Sequence, residues 1–95
     1  MDLKTQISAQ LENITTENIS VISMKLYYLI SDKLLEINTN KKFSHSKNKI
    51  YTVSSLCADN IECMLKNILE QNINLDIDKL TSIIYKFIIT NIKYI

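Results

Sequence analysis

The chain has 95 residues and a net charge of +1, contains no Gly or Pro, and is 46% hydrophobic. That length allows one domain, and the apolar fraction is too high for intrinsic disorder. The near-neutral charge leaves any attraction for nucleic acid to a local patch, and without Gly or Pro for tight turns a hairpin-rich β architecture is disfavoured.

Apolar periodicity divides the chain into four helices. The first carries Leu3, Ile7, Leu11 and Ile14, and Thr15 and Thr16 interrupt it. The second runs from about Asn18 to Ile37, with Ile19, Ile22, Leu26, Leu29, Ile30, Leu34 and Ile37 on one broad face. Tyr27 and Tyr28 flank that face, and Met24 reads as a packing residue in the same register. Periodicity stops over residues 38–46, the one clear loop. Ser46 is an N-cap candidate for the third helix, its hydroxyl able to accept from an orphan backbone N–H.

The third helix spans about 24 residues, roughly 36 Å. It carries Ile50, Val53, Cys57, Ile61, Met64 and Ile68 on one stripe, widened by Leu56, Leu65 and Leu69. Gln71-Asn72-Ile73-Asn74 closes it. Asp76 or Asp78 caps a fourth helix, whose face uses Leu80, Ile83, Ile84, Phe87, Ile88, Ile92 and Ile95. The whole reads as a single all-α domain over 1–95, with 1–16 as an accessory helix and 18–95 as the core. The stripe of the third helix is wider than two short neighbours cover, so a partner chain is expected to complete it. Ile50, Val53, Cys57, Ile61, Met64 and Ile68 are the expected interface.

Little in the chain points to catalysis. No Gly-rich phosphate loop is possible, and His45, the one histidine, lies in a polar loop beside Ser44 and Ser46, where it reads as solvated. Asp76 and Asp78 are explained by capping. Cys57 and Cys63 point about 240° apart on a helix, so they read as two reduced thiols, which implies a reducing intracellular compartment. No metal or cofactor site is expected. Met1-Asp2-Leu3-Lys4-Thr5-Gln6 has no apolar signal-peptide region, and the stretch from Ile83 to Ile95 is too short and too interrupted to span a bilayer. The glycosylation sequons at Asn13 and Asn18 read as chance matches in an Asn-rich chain. Lys41, Lys42, Lys47 and Lys49 lie on one short connection with no intervening acid. Four ammoniums there would attract phosphates, in a salt-sensitive manner, or form a solvated loop.

The order of helix, basic loop, long central helix, short loop and last helix resembles the histone fold. Residues 26–69 are similar to the centromere protein S family, whose members pair with centromere protein X. The matching residues are Leu26-Tyr27-Tyr28, Leu34-Leu35-Glu36-Ile37, Phe43, Ser46-Lys47-Asn48-Lys49-Ile50, Val53-Ser54-Ser55-Leu56 and Glu62. By this likeness Leu75 to Leu80 forms the second loop entering the last helix, and Ile92-Lys93-Tyr94-Ile95 extends that helix. The chain departs from the family in its shorter central helix, its extra first helix, a two-residue shift at 41–43 and the missing basic stretch after the central helix. Lys79 also stands where the family's fold places an Asp.

The resemblance implies a non-enzymatic nuclear subunit of a histone-fold heterodimer, of the kinetochore and DNA-repair kind. Lys41, Lys42, Lys47 and Lys49 would then contact the phosphates of double-stranded DNA. The alternative is a compact four-helix bundle, a viral or bacterial adaptor or inhibitor that binds one protein target, as bacteriocin immunity proteins do. It expects helix 3–14 to pack into the bundle. Neither reading involves a membrane or a small-molecule substrate.

Overall fold

A computed structural model of the chain describes residues 2–39, 47–71 and 76–93, and every regular element in them is an α-helix. In chain order these are α1 (Leu3–Leu11), α2 (Ile19–Thr39), α3 (Lys47–Glu70) and α4 (Ile77–Lys93).

Side-chain caps set where the helices begin. Asp2 accepts from the Thr5 backbone N–H at 2.7 Å, satisfying one of the orphan donors of α1. Hydrogen bonding to Thr5 also holds the Asp2 carboxyl below its usual pKa. Ahead of α2, Thr15 and Asn18 exchange bonds: the Thr15 N–H donates to Asn18 Oδ1 at 2.7 Å, and the Asn18 N–H donates to Thr15 Oγ1 at 3.3 Å. Asn18 Nδ2 also donates to the Asn13 carbonyl at 2.8 Å, which ties the turn shut without a glycine. Asp76 is the cap of α4, accepting from the N–H groups of Asp78 and Lys79 at 3.1 and 3.2 Å. Asp78 takes the other role open to it, an acid in the first turn. The expected second loop is therefore shorter than the family likeness implies, because Ile77 to Leu80 is already helical. Ser46 lies outside the described residues, as do Tyr94 and Ile95.

The closest packing is between α2 and α3, and small residues make it possible. Ser23 and Ser31 on α2, and Ser54 and Ala58 on α3, are all buried. Each serine hydroxyl donates to the carbonyl one turn back, Ser23 to Ile19, Ser31 to Tyr27 and Ser54 to Ile50, so no buried hydroxyl there is left unpaired. Ser20 near the start of α2 donates to Glu62 on α3 at 3.2 Å, which fixes the two helices as antiparallel neighbours. Across the molecule Thr81 on α4 encloses its hydroxyl without a partner among the described residues.

α1 contributes directly to the core. Ile7 and Leu11 are fully buried, Leu3 is buried with them, and the helix packs against both α4 and α2. One continuous apolar cluster runs from these residues through Leu26 and Ile30 on α2, Ile61 and Leu65 on α3, and Ile84 and Ile88 on α4. By contrast, α3 and α4 barely touch. The molecule is a four-helix arrangement measuring 45 × 23 × 18 Å, in which α1 bridges two of its longer neighbours.

Candidate functional site

An unbroken α3 turns its sides toward different surroundings, and the six residues expected at a partner interface divide accordingly. Ile50, Cys57 and Ile61 are buried within this chain, on the side that faces α2 and the shared core. Val53, Met64 and Ile68 are half-buried, packed against the edge of the cluster. The stripe that reads as one face in the sequence is therefore a core line with an apolar margin.

That margin opens onto α4. Where α3 and α4 diverge they leave a cleft of about 230 Å³ lined by Asn60, Ile61, Met64, Ile83 and Phe87. Ile83 is 53% exposed and Leu56, on the outer side of α3, is 60% exposed. In the sequence both sit in apolar registers, Leu56 widening one stripe and Ile83 beside Ile84 on another, so periodicity assigns them inward. Their exposure reflects how little of α3 the last helix covers.

On α4, lysines neighbour the cleft residue Ile83 along the helix. Lys79, Ile83 and Lys86 follow at spacings of four and three on α4, which places them on one side of that helix. Both lysines are exposed, and Asp78 shares a shallow concavity with Lys79 and Ile83 at the start of the helix. Lys49, also exposed, lies on the first turn of α3. Of the other expected phosphate-binding residues, Lys41 and Lys42 lie outside the described residues, and Lys47 is described only as the opening residue of α3.

A second concavity, about 400 Å³, lies between α1, α2 and α4 and includes Asp2, Asp32, Glu36 and Tyr85. Its chemistry is thin: the Asp2 carboxylate is committed to capping, and no Ser, Cys or His is among the residues that line the cavity. Among the described residues no group of three or more His, Cys, Asp or Glu converges as a metal site would. His45 lies outside them. Burial pushes the Cys57 thiol up to about 11, which keeps it protonated and unreactive at neutral pH. Among the described residues no helix is long and apolar enough to cross a membrane.

Compared with family models, curated proteins and solved structures, the chain matches none.

Proposed function

We propose that this protein is a non-enzymatic binding module, an adaptor or inhibitor that seats a helix of one protein target in the cleft between α3 and α4. The observation that carries the reading is the unfilled apolar cleft itself, lined by Met64, Ile83 and Phe87, with the exposed Lys79 and Lys86 one turn either side of Ile83 on α4. A helix-in-groove partner supplies apolar anchors at i, i+3, i+4 and i+7. The Lys79 and Lys86 ammoniums select one whose flanks are acidic. Packing of α1 into the bundle supports this reading further, since a compact four-helix module requires it. The target is intracellular if both cysteines are thiols in the working protein.

A second reading keeps the histone-fold heterodimer on DNA, of the kinetochore or DNA-repair kind in the nucleus. An unbroken 24-residue α3 with an exposed Lys49 on its first turn favours it. Under it Lys41, Lys42, Lys47 and Lys49 contact phosphates, and the α3 margin of Val53, Met64 and Ile68 meets a second histone-fold chain.

One set of titrations separates the two. The probes are two fluorescent helical peptides with the same Leu/Phe face, one flanked by Glu and one by Lys, and a short DNA duplex. The module reading expects saturable binding of the Glu peptide alone, weakened by salt and lost in Ile83→Glu. Equal binding of both peptides, or of neither, overturns it. Retention of the duplex that disappears when Lys41, Lys42, Lys47 and Lys49 become Gln, with helicity unchanged, establishes the second reading instead.

A further inference from the structure

The outer face of α2 carries a second apolar line, distinct from the one that enters the core. Val21, Met24 and Tyr28 are 54%, 60% and 58% exposed. With Ser31 and Leu35 they follow at spacings of three, four, three and four. That is the repeat by which one helix lays a continuous seam against another. Leu35 is half-buried, and Ser31 is buried with its hydroxyl bonded to the Tyr27 carbonyl, so the seam dips between Tyr28 and Leu35. One flank of the seam is taken by α3, whose Ser55 and Ala58 share a groove with Met24 and Tyr27. The other flank carries Lys25 and Asp32, both exposed and neither in an ion pair among the described residues, with Asp32 at the mouth of the concavity that α2 shares with α1 and α4.

We propose that this seam is the contact between two copies of the chain, with their α2 helices antiparallel across a two-fold axis. Charge decides the occupant and the register. In an antiparallel pair the Lys25/Asp32 flanks of the two helices face each other, and the residues there meet their counterparts. If Met24 of one copy lies opposite Leu35 of the other, Lys25 of each meets Asp32 of its partner, giving two equivalent ion pairs. Tyr28 then lies across the turn of the second copy's α2 that holds the buried Ser31. Sliding by one heptad in one direction brings Lys25 against Lys25, and sliding the other way brings Asp32 against Asp32. Either costs a like-charge contact. A self-complementary patch of this kind is what a two-fold interface requires. The seam is shorter than a standard interface of about 800 Å² per partner, so the association is weak and depends on concentration. This face lies apart from the α3–α4 cleft, so the pairing stands or falls independently of the proposed target.

Sedimentation equilibrium of the full chain under reducing conditions, from about 10 µM to about 1 mM, tests it. The wild type is expected to shift from monomer to dimer across that range. Tyr28→Glu, at an exposed position, abolishes the shift while the far-ultraviolet circular dichroism stays unchanged. Lys25→Glu weakens association by about tenfold, because two pairs turn repulsive together. The double swap Lys25→Glu with Asp32→Lys restores it, which only the antiparallel register allows. A chain that stays monomeric throughout, or a dimer indifferent to Tyr28→Glu, overturns the proposal. A dimer weakened by Lys25→Glu but not restored by the swap overturns the register.

Discussion

Cys57 and Cys63 stand six positions apart on α3 and meet different surroundings. Cys57 is buried in the core and its thiol is raised to about 11, whereas Cys63 is exposed. A thiol reagent at neutral pH is therefore expected to add once to the native chain, at Cys63, and twice after denaturation. Mass spectrometry counts the adducts, and rapid double labelling of native protein would show that Cys57 is not enclosed. The raised value also has a thermodynamic sign. Above the ordinary value of 9.0 the unfolded chain releases the Cys57 proton while the folded chain keeps it. Stability on this account is unchanged below that pH and declines as pH climbs toward about 11. The sequence shows that the two thiols diverge around the helix. Which of them the core encloses depends on how α2 lies on α3.

At the scale of the helix, the Asp76 cap gives a defined expectation. Asp76→Ala leaves two N–H groups of α4 without their side-chain acceptor and is expected to cost about 1 kcal/mol. Asp78→Ala removes only a favourable charge from the first turn and costs less. Urea titration of the two variants ranks them, and a larger loss at Asp78 would reverse the assignment. The helix bounds were largely legible in the sequence. Periodicity over 47–70 gave an element of the observed length, and the break at Gln71 falls where α3 ends, whereas α1 stops at Leu11, short of the expected 14, and α2 runs on to Thr39, into the expected loop. What periodicity leaves open is direction. On α2, Val21, Met24 and Tyr28 repeat with helical spacing just as Ile19, Ile22 and Leu26 do, and only the positions of α1 and α3 determine which line is buried. Ile83 is a similar case: it neighbours Ile84 in sequence, yet a turn of about 100° carries it out of the core. The exposed lines on α2 and α4, which carry both proposed contacts, were legible only once the helices were placed.

At the scale of the molecule, α1 contributes more than its nine residues imply. Ile7 is fully enclosed in a helix that packs against both α2 and α4, so truncating it leaves a cavity where these helices meet. Ile7→Ala is expected to cost about 2–5 kcal/mol. In a domain of this size that lowers the melting temperature by roughly 10 °C or more. Calorimetry should show one transition moved as a whole, since a helix so enclosed cannot melt alone. A small early step preceding an unshifted main transition would instead mark α1 as an appendage.

Because the first helix rests largely on the last, synthesis meets an obligatory delay. As the chain leaves the ribosome, Leu3, Ile7 and Leu11 emerge well before the α4 surface that encloses them, which begins only at Ile77. α2 and α3 can pair in the meantime through their serines and Ala58. The segment that forms α1 must remain soluble, or held by a chaperone, until α4 has been translated.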